Sequence, residues 1–292
     1  MRVRSARALM LAIGLTVGPT ALVAPTLQAQ APDASSVLAE TRQALGGDAR
    51  IGKVHTIIAT GRTRQVRGDN LVPIEFEIQT ELPDRYARRD EFPAQDAGPS
   101  TSGFNGDTLI QVPPPAVPPA RAGGPPPPTA AQLDAQSRAR VLTVKQDFAR
   151  LMLGMFASSY SSYPLTFSYV SEAEAPQGKA HVLDAKGPSN FAARLFIDAQ
   201  THLPLMVTWQ QAPPPAPRRG GAPGPPAQGT PRGGAPPMVE HRLYFADYRD
   251  VDGLKLPFRL RHAVGSDTTE ETTFDRFRIN ARVDPKRFEP TS

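Results

Sequence analysis

The sequence predicts a mainly β protein of the α+β class, built on one highly curved antiparallel sheet of about eleven short strands with two helices. Three observations carry that expectation. Short runs that alternate apolar and polar residues recur along most of the chain and are separated by Gly, Asn, Asp and Pro turn signals. Only two stretches show helical spacing, and they do not alternate with strands as βαβ units would. No repeat of fixed period occurs, so a single curved sheet is the simplest way to place so many sequential strands in one domain.

The first 29 residues read as an export signal. Arg2, Arg4 and Arg7 form a basic start, Ala8 to Val17 an apolar run, Gly18 and Pro19 break it, and Leu27-Gln28-Ala29 precedes a cut expected after Ala29. The apolar run is far shorter than the ~20 residues that span a bilayer. The remainder, 30–292, is expected to be one exported domain, with the periplasm as its compartment. The chain has no cysteine, which removes disulfides, thiolate chemistry and a lipid-modified N-terminus.

Next, 33–45 places Val37, Leu38, Thr41 and Leu45 at helical spacing, and Gly46-Gly47 stands ready to stop the helix. Lys53 to Thr60 is a β-branched run, Arg67 to Asn70 a turn, and Pro73 to Glu81 alternates with Ile74, Phe76 and Ile78 inward. Arg85 to Phe92 continues the sheet. Asn105-Gly106 is a hairpin signal ahead of Thr108 to Val112.

Two tracts, 113–128 and 212–237, contain 9 and 10 of the 33 prolines and no apolar period. They are expected to be disordered insertions, because such composition buries too little surface to offset ordering entropy. Between them, Thr129-Ala130-Ala131-Gln132 fits a capping box that opens the longest helix. Val141, Val144, Phe148, Leu151, Met152, Met155 and Phe156 form its apolar stripe. Either the stripe packs permanently as core, which the stripe alone favours, or its methionines make a lid that can repack around a guest. Strands follow at 165–170, 180–184, 192–198 and 204–210.

A three-strand meander from Val239 to Pro290 closes the domain. In its middle strand Leu254, Leu256, Phe258, Leu260 and Val264 face one way and Lys255, Arg259 and Arg261 the other. Asp252-Gly253 supplies the tight turn before it. Pro257, which has no N–H, implies a bulge or an unpaired position there.

Charge narrows the function classes. The sequence pI is near 9.7, but seven of the 33 basic residues lie in the signal and the two tracts, which leaves 26 against 28 acids. The folded part is about neutral and carries no basic stripe with interleaved aromatics, so nucleic acid is not an expected partner. The five histidines are dispersed and read as surface or edge residues. No metal-ligand spacing, nucleophile elbow or phosphate-binding loop is present, and Asp247 to Gly253 fails the calcium-loop pattern. No catalysis, metal or cofactor is therefore expected.

What remains is architectural: a curved apolar sheet face either fills against a helix or encloses a cavity, which would suit an acyl chain. The expected lining is Ile58, Ile74, Phe76, Ile78, Phe148, Leu151, Met152, Met155, Ile197, Val207, Trp209, Leu243, Phe245, Leu256 and Phe258.

Several segments resemble the periplasmic lipoprotein-carrier superfamily, LolA/LolB-like. They are Leu195-Phe196-Ile197-Asp198 with Thr201 and Leu203-Pro204-Leu205, then Tyr248 to Pro257, then Ile279-Asn280 with Asp284 and Phe288, and the Leu45-Gly46-Gly47 helix end. The resemblance implies a half-open antiparallel barrel around a helix-containing lid. It further implies an apolar interior that holds acyl chains of a lipoprotein or lipid, with envelope proteins at either membrane as partners of a monomeric carrier or sensor. The alternative is an envelope scaffold, including a signalling sensor, whose barrel is a filled core and whose Pro/Arg-rich loops dock a partner.

Overall fold

The computed structural model describes residues 32–68, 70–93, 98–114, 127–175, 178–212 and 237–289. The expected export signal and most of both proline-rich tracts lie outside the described residues.

Helix α1, Ala34–Ala44, starts at Asp33, whose carboxylate accepts from the Ser36 N–H at 2.8 Å while the Ser36 hydroxyl reaches back to cap the Asp33 end. It ends where the sequence indicates. Gly47 N–H donates to the Arg42 carbonyl oxygen at 2.8 Å, and Gly46 has a φ of +128°. A side chain on Gly46 would strike the carbonyl of Gly253, and the Lys255 N–H donates to the Leu45 carbonyl oxygen at 2.9 Å. The helix end is thereby docked on the Asp252-Gly253 turn. A single further turn of helix, α2 (Asp48–Ile51), follows.

The strands are β1 (Thr56–Arg67), β2 (Asn70–Glu81), β3 (Arg85–Glu91), β4 (Ser100–Asn105) and β5 (Thr108–Val112), then β6 (Thr166–Ala175), β7 (Gly178–Gly187), β8 (Phe191–Asp198) and β9 (Pro204–Gln211), and finally β10 (Val239–Val251), β11 (Leu254–Val264) and β12 (Asp267–Ile279). They form one 12-stranded antiparallel sheet in the order β5-β4-β3-β2-β1-β12-β11-β10-β9-β8-β7-β6. Its two edges, β5 and β6, do not pair, so the sheet is a half-open barrel. The expected eleven strands become twelve because β4 exists. Its Gly103 sits where any Cβ would meet the Tyr86 backbone, a close approach that leaves no alternating pattern to read.

Pro257 falls where the sheet forks. β12 pairs with β1 from Ile57/Ile279 to Gln65/Glu270, but with β11 only from Arg259/Thr273 onward. The missing N–H thus lies beyond the β11–β12 ladder, and Leu256, Pro257 and Phe258 are all buried.

Helix α3, Ala130–Phe156, is capped by Thr129 and Gln132 as the capping box predicts. It bridges the open side of the barrel, touching β4 and β5 near one edge and β8 and β9 near the other. Its first turns are exposed. From Phe148 to Ala157 every residue is buried except the half-buried Leu151, so this end is enclosed on all sides as core. It separates two apolar clusters. One gathers Leu153, Leu183, Leu195, Ile197, Val207 and Phe245 with α1, and the other gathers Met152, Phe156, Phe76, Phe258, Phe274 and Phe277. Full burial of a Phe or Leu side chain is worth ~1.5–3 kcal/mol, so this seat holds the helix firmly. The C-terminal turn, Pro285–Phe288, tucks Phe288 against Ala87 and Ile110 on the outer side of the sheet.

Candidate functional site

Between α3 and the concave sheet face the structure leaves a cavity of about 240 Å³, lined by Phe76, Ile78, Tyr86, Arg88, Asp147, Arg150, Leu151, Trp209, Leu243, Leu260, His262, Glu270, Thr272 and Phe274. A wider vestibule of about 750 Å³ adjoins it between α3 and β7 to β9, and Arg150 and Trp209 border both spaces. A cleft of about 1150 Å³ also opens on the other side of the sheet, where Arg62, Arg64, Arg259 and Arg261 stand with Phe196, Met206 and Tyr244.

Of the residues expected to line a cavity, Phe76, Ile78, Leu151, Trp209 and Leu243 do so. Phe148, Met152, Met155, Leu256 and Phe258 are packed into the cluster around Phe76, and Ile197, Val207 and Phe245 into the other. Ile74 is buried on the same face as Phe76 and Ile78 but outside both clusters. Ile58 is turned away. Its neighbours Ile57 and Ala59 join the inner cluster, so alternation sends Ile58 to the opposite face, where it is buried beside Gln79.

The cavity is not uniformly apolar. One wall carries Arg88, whose Nε donates to Asp90 at 2.7 Å and whose Nη2 donates to Thr63 at 3.2 Å, with the guanidinium 4.7 Å from the Phe76 ring centroid. Burial works against the Arg88 charge, yet Asp90, Tyr86 and Glu270 outweigh it and hold the guanidinium protonated more firmly than usual. Burial pushes the Tyr86 hydroxyl up to about 12.

The opposite wall is an aromatic stack. Trp209 lies parallel to His262 at 5.5 Å and stacks on His241 at 5.2 Å, and the two imidazoles approach at 3.2 Å. Both histidines were expected at the surface or an edge. The structure corrects this: both stand on the concave side, in line with Leu260 and Leu243. Thr269, an extra residue where β12 bulges, contacts His262 Nδ1 at 3.1 Å. Burial, then His241 and Arg150, push His262 down to about 4, and burial followed by Arg150 also lowers His241. The pair is neutral at pH 7.

Arg150 closes the ring. Its guanidinium stands 4.5 Å from the Trp209 centroid and 5.3 Å from that of Phe191, and Nη1 donates to Asp147 at 2.7 Å. Its side chain is 9 % exposed, and burial lowers its affinity for the proton. Chemically, the arrangement offers an apolar slot for a hydrocarbon whose lining also carries Arg88 and Arg150, the carboxylates of Asp147 and Glu270, and the neutral polar groups of His262 and Thr272. No helix of the described residues is long and apolar enough to cross a membrane.

No family model matches the chain, and no curated protein matches it significantly. Among solved structures, a LolA superfamily protein from Nitrosomonas europaea superposes with a TM-score of 0.52 at 10% identity, covering 89% of this chain and 98% of that one. A putative outer membrane lipoprotein-sorting protein domain from Vibrio parahaemolyticus superposes with a TM-score of 0.45 at 10% identity, covering 86% and 94%. The first likeness shows that this chain has a LolA-like fold.

Proposed function

We propose that the protein is a non-catalytic periplasmic carrier or sensor that takes an acyl chain of a lipid or lipoprotein into the cavity under α3. The observation that carries this reading is the void itself. Interiors pack to the density of organic crystals with few gaps larger than a water molecule, whereas here about 240 Å³ lies open beside Phe76, Ile78, Leu151, Leu243, Leu260 and Phe274. The LolA-like fold supports the same reading at the level of architecture.

Trp209 is the only tryptophan in the chain and borders the cavity, which makes it a built-in reporter. A fatty acid brominated along its chain is expected to quench Trp209 emission saturably, with an unbrominated chain competing. Absence of quenching at concentrations that saturate ordinary fatty-acid binders would sink the reading.

The scaffold alternative draws on a different observation: most of the apolar residues expected around a ligand are instead packed solidly, including Leu256 at 0 % exposure and Phe245 at 4 %. Under it, the fatty-acid probe does not bind, and removing 115–126 and 213–236 abolishes partner capture. Under the carrier reading probe binding persists and partner capture does not depend on those segments.

A further inference from the structure

We propose that the ligand is a single-chain amphiphile with an anionic head, a carboxylate or a phosphate, whose tail enters the inner cavity while Arg150 holds the head at the junction with the vestibule. The proposal rests on the acyl-binding reading above and adds the ligand's class.

Position is the first argument. Arg150 and Trp209 are shared by the apolar cavity and the vestibule, so a head at Arg150 has room for its tail on one side and for solvent on the other. Size is the second. At about 240 Å³ the cavity falls below the ~300–1,000 Å³ of sites that enclose drug-sized ligands, room for one chain and not for several.

The third argument is chemical. Arg150 Nε is buried and has no hydrogen-bond partner, although the side chain is 91 % withdrawn from solvent by its 9 % exposure. Among the described residues its ion-pair partner is Asp147, which engages Nη1 and is itself 63 % exposed. A buried N–H left unmade is unfavourable by ~1–3 kcal/mol, more when the group is charged, so such a donor in a native site calls for an acceptor. The guanidinium fork matches the paired oxygens of a carboxylate or phosphate through two N–H groups. The rings of Trp209 and Phe191 hold it in place. Gln146, Thr208 and Gln210 line the vestibule and supply neutral polar contacts for the rest of a head, while the other charges of its lining are balanced, Lys186 and Arg194 against Asp184 and Glu240.

The test is displacement of a fluorescent fatty-acid probe from the full chain, below micellar concentrations, by dodecanoate, its methyl ester, a single-chain lysophosphatidate and inorganic phosphate. The acid and the lysophosphatidate are expected to compete about tenfold or more better than the ester, and their ranking tells a carboxylate from a phosphate head. Arg150→Gln should bring both down to the ester's level, with Arg150→Lys intermediate. Equal binding of acid and ester by the unaltered chain overturns the head assignment and leaves the acyl reading standing. Inorganic phosphate competing as well as the lysophosphatidate overturns the amphiphile. No displacement by any chain-bearing compound overturns both readings. The comparison among ligands needs no variant, so a folding defect at Arg150 does not obscure it.

Discussion

The ring of Phe245 occupies the space that a Cβ on Gly154 would need, so this β10 side chain packs directly on the α3 backbone. Close by, the Tyr248 hydroxyl reaches both the Gly154 carbonyl oxygen at 3.1 Å and that of Pro204 at 2.8 Å. Burial drives its ionisation well above the ordinary tyrosine range, so it stays a donor.

In an open helix Gly→Ala is stabilising by ~1 kcal/mol. Gly154→Ala is therefore expected to have the opposite sign here, destabilising by about 1–3 kcal/mol as an overpacked core does. Adding Phe245→Leu should recover part of that loss, because residues in contact are not additive. Urea unfolding of the two single variants and the double variant measures it.

Asp198, 4 % exposed, accepts from Gln200 N–H, Thr201 N–H and the Thr201 hydroxyl at 3.0, 2.7 and 2.9 Å. Burial opposes its charge, but those bonds outweigh burial and lower its pKa. Asp198→Ala leaves the turn donors unmet and should be destabilising by about 1–3 kcal/mol. Loss of early amide-exchange protection at 198–204 would locate the effect.

His262 titrates near 4 when folded, against 6.5 as the reference value. Between those values the unfolded chain takes up the proton and the native chain does not, so stability should fall as pH drops from about 6.5 to 4. The charged and titratable groups around it are His241, Arg150 and, directly opposite on β12, Glu270. His262→Phe should flatten that limb of a stability-versus-pH curve, and an unchanged slope would refute the assignment.

Leu151 is half-buried at the cavity wall. Leu151→Phe adds volume where the interior is vacant, so it should leave stability within about 1 kcal/mol or raise it, whereas overpacking a filled site is destabilising by ~1–3 kcal/mol. Probe affinity should drop about tenfold. Paired thermal melts and titrations separate these outcomes.

Much of the architecture was legible because turn chemistry and alternation agreed. Gly46, Gly106 and Gly253 all have positive φ, and the 254–264 strand presents its apolar face as read. β4 was not legible, since Ser100 to Asn105 is specified by the close approach of Gly103 to its neighbour strand and not by a pattern. The histidines were missed although the signal existed. The same alternation that places Leu260 and Val264 inward places His262 between them, and His241 precedes Leu243 and Phe245 in the same way. Arg150 gave no such signal. It lies away from the Phe148 stripe on α3, and only the enclosure of the helix by the folded sheet buries it. Ile58 was misplaced because a run of Ile57, Ile58 and Ala59, all buried, does not say which face each residue takes.

Every pair of neighbouring strands in the sheet is also adjacent in sequence except β1 and β12. That one seam joins Ile57 to Ile279 and Gln65 to Glu270 across more than two hundred residues, while the remaining ladders close over short spans or, between β9 and β10, over the second proline tract. The contact order of the fold is thus concentrated in a single zipper. Each wing can assemble locally, and the entropy of bringing distant parts of the polypeptide together falls on the last pairing to form.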